Sequence, residues 1–280
     1  MAMTSFSKYL VLLGALLLCS ACSNMFLYPT KDYVVSPARL SLAYRQLIIR
    51  DKNQADLSAW LLLANQPAKG LIVFVHGNAQ NMSNHLASIY WLPAAGYHVL
   101  TFDYRGYGKS AGGKSLTGAA KDIKRAILFS KKLNQSMSGG NLKIYLYAQS
   151  LGASLSVSAL SDMQVKAVLS KVILEGTFAS YRQIFREKAS LFWLTSVLAY
   201  PLSYSLPEDL SAERHIAKIS PIPLLLIQGE NDFIVPPANG PVLENLARQP
   251  KSYWSFPNKG HLEIFLSKEN RQQLIEYLNE

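Results

Sequence analysis

Cysteine is nearly absent from this chain: 280 residues contain two, Cys19 and Cys22, both close to the N-terminus. Everything after residue 22 is therefore without a disulfide or a cysteine-bound metal site. A bilayer-spanning run is also missing from the start of the chain. The apolar stretch Tyr9 to Leu18 is about half the ~20 residues a transmembrane helix needs, and Ser20, Ser23 and Asn24 close it early. Acidic residues are in the minority, 18 against 28 lysines and arginines, for a net charge of +10. The basic excess is scattered, with Lys131 and Lys132 as its longest cluster. That pattern describes a solvated surface drawn to anionic membrane and excludes a nucleic-acid groove, which needs a basic stripe or a recognition motif. Repeats and low-complexity tracts are missing as well.

Lys8 precedes the apolar run, and the run ends in the small residues of CSAC, the layout of an export signal. Cys22, preceded by Ser20 and Ala21, resembles the lipid-modified cysteine of bacterial lipoprotein signals, with Cys19 a departure where Leu is usual. The resemblance implies a mature chain that starts at Cys22 and carries several acyl chains, which is what stable anchoring requires. Ser23, where an Asp would retain the protein at the inner membrane, implies the periplasmic side of the outer membrane. An uncleaved N-terminal anchor is the alternative. The expected division is a signal over 1–22, a linker over 23–40, and one large domain over 41–280, long enough for a full core.

Within that domain the apolar runs are short and β-branched, and helical patterns separate them, which predicts a mostly parallel sheet covered on both faces. Strands are expected at Ser41 to Ile49, Leu57 to Leu63, Leu71 to Val75, Val99 to Phe102, Lys143 to Tyr147, Val168 to Leu174, Leu224 to Gln228 and Ser252 to Phe256. The first two are close enough to pair antiparallel through a turn near Asp51 to Gln54. Helices fit Ser83 to Ala95, Leu116 to Leu133, Leu151 to Ser161, Pro237 to Arg248 and Ile264 to Leu278. In such sheets chemistry collects beyond the carboxyl ends of the strands.

Three residues stand at strand ends in a meaningful order. YLYAQSLGAS, residues 145–154, runs a strand through a tight turn into a helix of small residues, with Ser150 at the apex. On its own this pattern also fits a serine that caps a helix. GENDFIVPP places Asp232 after a later strand, and PNKGHLEIF places His261 after the last. A serine hydroxyl attacks only when a base takes its proton, and that base needs a carboxylate to fix its tautomer. Glu175, after the preceding strand, is the alternative acid. In FVHGNAQN the loop after the third strand brings a backbone N–H at Asn78 toward that of Leu151, a pair suited to a developing oxyanion. His76 reads as a brace for that loop. His85, His98 and His215 have no partner pattern.

HGNAQNMSNH, FDYRGYGKS, GTFASY, SPIPLLLIQGENDFIVP and the late GH together resemble the serine hydrolases of the α/β-hydrolase superfamily, in the Bem-type branch, from about Leu40 to the C-terminus. The resemblance implies an eight-stranded α/β-hydrolase fold with a short cap insertion, and hydrolysis of esters or thioesters without cofactor or metal. It also implies Ser150, Asp232 and His261 as triad, with Asn78 and Leu151 as oxyanion donors. Ala148 for Gly and Glu175 for Asp are departures. A peptidase or amidase, or a non-catalytic binding protein on the same fold, remain alternatives.

Two stretches compete for attention. GKSAGGKS, residues 108–115, fits the phosphate-binding spacing G-x-x-x-x-G-K-[ST]. A P-loop opens directly after its strand, yet five residues separate Phe102 from Gly108. The nucleotide reading is therefore disfavoured, and Asp103 and Arg105 read as loop braces. Residues 176–210 form a long, aromatic-rich connection of the kind that makes lids. Phe185, Leu191, Phe192, Trp193, Leu198 and Tyr204 are its candidate acyl-pocket residues; a helical insertion packed on the core is the equal alternative.

Overall fold

The computed structural model describes residues 26–189 and 199–280. All eight expected strands form one sheet: β1 (Tyr44–Ile49), β2 (Leu57–Leu62), β3 (Gly70–Val75), β4 (Tyr97–Phe102), β5 (Lys143–Gln149), β6 (Lys171–Glu175), β7 (Leu224–Gly229) and β8 (Lys251–Phe256). Their order across the sheet is β8-β7-β6-β5-β3-β4-β2-β1. Only β2 runs antiparallel to its neighbours, β1 and β4, and the other pairings are parallel. This is the α/β-hydrolase fold. The first strand starts later than expected because Ser41, in a left-handed conformation at φ 54°, ends a 3-10 turn over Pro37–Leu40.

Helices among the described residues include α1 (Leu86–Ile89), α2 (Leu116–Ser138), α3 (Leu151–Ala159), α4 (Met163–Lys166), α5 (Tyr181–Ala189), α6 (Asn239–Leu246) and α7 (Lys268–Asn279). The expected helix over 83–95 shrinks to the single turn of α1. Its N-terminal end is taken by an Asn81 turn that captures the Ser83 N–H and hydroxyl, and Pro93 cannot supply an N–H beyond it. Likewise α7 starts at Lys268 because Ser267 caps it, accepting from the Asn270 N–H at 3.3 Å.

Successive residues of the central strands enter opposite faces, and both faces are covered. Leu71, Val73, Val75, Leu146 and Ala148 pack with α2 and α3 on one side. On the other, Ile72, Phe74, Tyr145 and Tyr147 pack against α1, Phe265 and α7. Double coverage explains why these strands read as continuous apolar runs. Each buried Leu, Ile or Val contributes about 1.5–3 kcal/mol. The sheet is thereby a rigid platform whose C-terminal rim can hold side chains in fixed positions.

The described part of the expected linker, residues 26–40, is held against the domain. Leu27 is buried in the core, and Tyr28–Pro29 pair in parallel with Ala79–Gln80 in the loop after β3. Tyr33 donates its hydroxyl to Asp103 at 2.6 Å. Among the described residues no helix is long and apolar enough to cross a membrane. Cys22 lies outside the described residues.

Candidate active site

Ser150 occupies the bend between β5 and α3 at φ 54°, ψ −124°, a left-handed backbone that costs a residue with a side chain roughly 1–3 kcal/mol. The surroundings enforce it. Its N–H donates to the Glu175 carbonyl at 2.8 Å, and its carbonyl accepts the Ser154 N–H at 3.1 Å. Gly152 lets α3 approach the sheet: a Cβ there would stand 2.2 Å from the His76 carbonyl oxygen and 2.9 Å from that of Val75. Strain also marks the two neighbouring loops, at Gln80 with φ 68° and Leu262 with φ 58°.

The loops after β7 and β8 are stitched together. The Glu230 N–H donates to the Phe256 carbonyl at 3.0 Å and the Asn231 N–H to that of Lys259 at 2.9 Å. Asp232 and His261 are thereby set side by side, with Asp232 Oδ2 2.7 Å from His261 Nδ1. The other carboxylate oxygen accepts two main-chain N–H groups, those of Ile234 and Val235, both at 2.8 Å. Gln228 Nε2 donates to Oδ2 at 3.3 Å. His261 Nε2 then lies 3.0 Å from Ser150 Oγ. With Nδ1–H donated to the carboxylate, Nε2 is an acceptor for the serine proton.

Asn78 and Leu151 lie beside Ser150 in one cavity of about 500 Å³. The Leu151 N–H opens α3 and has no carbonyl four residues back within the helix. Asn78 holds its loop through its side chain: Oδ1 accepts the Tyr28 N–H at 3.2 Å and the Tyr107 hydroxyl at 3.1 Å.

His76 braces that loop, with Nδ1 2.7 Å from the Gly77 carbonyl and its own carbonyl accepting the Tyr104 hydroxyl at 2.6 Å. His85 stacks on it at 5.1 Å and 26°. A Cβ on Gly77 would lie 3.3 Å from His85 Cε1 and 3.4 Å from Ser150 Cβ, which puts His85 next to the site. Burial holds both imidazoles below the usual range, so they are neutral neighbours of Ser150. Nothing in the sequence spacing of His85 signals this position, because stacking on His76 is a contact made by the folded loop.

Glu175 makes no hydrogen bond to His261 among the described residues. Its Oε2 accepts the Tyr147 hydroxyl at 2.5 Å and Gln149 Nε2 at 2.7 Å, and burial pushes its carboxyl above the usual range. Asp103 accepts the Met82 N–H at 2.8 Å, and Arg105 grips Asp122 at 2.7 and 2.9 Å, so both act as braces. The GKSAGGKS loop is fastened too: Lys114 Nζ donates to the Leu27 carbonyl at 3.1 Å, and Ser115 caps α2. Its lysine and serine are thus taken up by the protein itself.

Phe185, on α5, lines the cavity with Ser150, Ile234 and Val235. Tyr204 does not. It flanks a separate surface cleft with Arg182 and Arg186, whose guanidinium groups stand 4.9 and 5.4 Å from its ring. Leu191, Phe192, Trp193 and Leu198 lie outside the described residues.

Residues 66–214 match the family Hydrolase_4, described as serine aminopeptidase, S33. The chain belongs to this family of α/β-hydrolases. Relatives of similar length include YfhR of Escherichia coli K12, itself uncharacterized, at 31% identity over 91% of this chain and 86% of that one. Protein bem46 of Schizosaccharomyces pombe is 27% identical over 90% of this chain and 82% of its own. Among solved structures, the esterase Pf2001 of Pyrococcus furiosus superposes with a TM-score of 0.72, covering 90% of this chain and 97% of that one. At 19% identity that likeness speaks for the fold alone.

Proposed function

We propose that this Hydrolase_4 protein is a serine hydrolase that cleaves carboxylic ester or thioester bonds through an acyl-enzyme. The observation that carries the reading is the relay Ser150 Oγ, His261 Nε2, His261 Nδ1, Asp232 Oδ2, joined at 3.0 and 2.7 Å. His261 takes the hydroxyl proton as Oγ bonds to the acyl carbon. The oxygen of the tetrahedral adduct turns to the N–H groups of Asn78 and Leu151, each worth about 3 kcal/mol at the transition state. The proton then passes from Nε2 to the departing alcohol or thiol, and water repeats the sequence to free the acid.

The cavity lining supports an acyl substrate over a peptide amino terminus. Among the described lining residues none is acidic and the one charged side chain is Lys188. A protonated α-amine would be desolvated there without a carboxylate to meet it. The test is turnover of short-chain nitrophenyl esters and labelling by a fluorophosphonate, both expected to vanish in Ser150→Ala. Persistent labelling in that variant removes the assignment.

The reading extends to location: a chain exported and held at the outer membrane by lipid on Cys22, with an uncleaved N-terminal anchor as the alternative. Cys22→Ser should abolish lipid labelling and release the protein from membranes. Retention of the variant favours the uncleaved anchor.

A further inference from the structure

The segment Phe26 to Thr30 is strapped across the active-site rim rather than trailing from it. Thr30 donates its N–H to the Gln80 carbonyl at 2.9 Å, and its own carbonyl accepts the Gly108 N–H at 2.9 Å. Asn81 Nδ2 donates to Thr30 Oγ1 at 3.0 Å and to the Asp32 carbonyl at 2.7 Å. Lys114 holds the Leu27 carbonyl, and Asn78 holds the Tyr28 N–H. Leu27 is buried in the core, Phe26 packs partly buried against the same cluster, and Tyr28 is exposed. Phe26 and Tyr28 both line the Ser150 cavity.

Phe26 lines that cavity beside α5. Its ring meets buried Tyr181 edge-on at 5.6 Å and 75°, and stands 6.2 Å from Phe185. Among the other bulky lining groups, Ile184 and Phe185 come from α5. Phe178 is buried in the core, and Ile234 and Val235 supply the N–H groups that hold Asp232. The ring contacts of Phe26 are with Tyr181 and Phe185 rather than with His261, so its size can change while the relay stands.

We propose that Phe26 is the specificity-determining wall of the acyl cavity and sets the length of acyl chain the protein accepts. The inference rests on the acyl-hydrolase reading above and adds a residue from the N-terminal strap to the site. A smaller side chain opens space between strap and cap, and a larger one fills it. One methylene gained or lost in an apolar pocket changes selectivity by roughly 10-fold or more.

The experiment compares the full chain with Phe26→Ala and Phe26→Trp on nitrophenyl esters from butyrate to tetradecanoate, normalised by fluorophosphonate titration of active sites. In parallel, straight-chain fatty acids of the same lengths are bound to each variant in the Ser150→Ala background. Phe26→Ala should raise the dodecanoate-to-butyrate ratio of kcat/KM about tenfold, and Phe26→Trp should lower it by a similar factor. Fatty-acid affinities should shift in the same directions. Wild-type chain-length profiles in both variants overturn the inference while leaving ester hydrolysis intact. Shifted fatty-acid binding without any ester turnover in the wild type would remove the hydrolase reading and keep Phe26 as the wall. Should Phe26→Ala fail to fold, Phe26→Leu and Phe26→Trp carry the same comparison.

Discussion

In Asp232→Asn the relay should fail at one atom. Asp232 Oδ1 accepts the N–H groups of Ile234 and Val235, each at 2.8 Å, while Oδ2 faces His261 Nδ1 at 2.7 Å. Asparagine has a single oxygen for these two places. Turning its NH₂ toward the two main-chain donors would leave each unsatisfied, at roughly 1–3 kcal/mol apiece. The amide oxygen therefore takes the Oδ1 position, and the NH₂ group points at the imidazole. Nδ1 must then accept, the ring proton moves to Nε2, and Nε2 loses the lone pair that Ser150 needs. The same change of tautomer in serine proteases lowers kcat about 10⁴-fold, or about 5.5 kcal/mol. We expect a fall in kcat of about 10³–10⁴-fold on nitrophenyl butyrate, with KM within a few-fold and the melting temperature close to wild type. A variant that keeps more than about a tenth of wild-type kcat refutes the reasoning. If Glu175→Gln then removes the remainder, the acid of the relay is Glu175.

Three further outcomes test the parts around the relay. Gly152→Ala puts a methyl 2.2 Å from a main-chain oxygen that cannot yield, and should destabilise by about 1–3 kcal/mol, lowering Tm by several degrees; an unchanged melting curve contradicts the elbow packing. Asn78→Ala cuts both ties at Oδ1, so the main-chain donor at that position should drift and kcat fall about 10²-fold with KM little changed; full activity would show that the side chain does not hold the loop. Glu175→Gln concerns stability against pH. The folded protein holds this carboxyl above its unfolded value of about 4.3, so wild type loses stability as pH rises through the raised value, and the variant has nothing there to ionise. The Tm of the variant relative to wild type should thus be near zero at pH 4 and grow toward pH 8. His76 and His85, held below their unfolded value, weaken both proteins as pH falls under about 6.5 and cancel in the difference. A gap that shrinks on going to high pH would reverse the sign and overturn the burial argument.

The sheet was legible because its strands are buried on both faces, and burial of that kind writes short β-branched runs that local chemistry punctuates. Ser150, Asp232 and His261 stood out in the sequence for a related reason: each follows such a run, and parallel strands bring their carboxyl ends to one rim. The helix expected over 83–95 failed where side-chain bonds at Asn81 and Ser83 outbid a weak helical pattern. The strap leaves less signal in the sequence. Tyr28–Pro29 make too short a pairing to show periodicity, and their partners lie about 50 positions onward, at Ala79–Gln80 and the Asn78 side chain. What such a segment does is decided by contacts between loops, and no window of sequence contains both halves of the contact. Asn78 shows the consequence at a single residue. From the sequence only its main-chain N–H had a purpose. In the fold, two donors converge on that side chain, so the side chain and the shape of the loop are one variable.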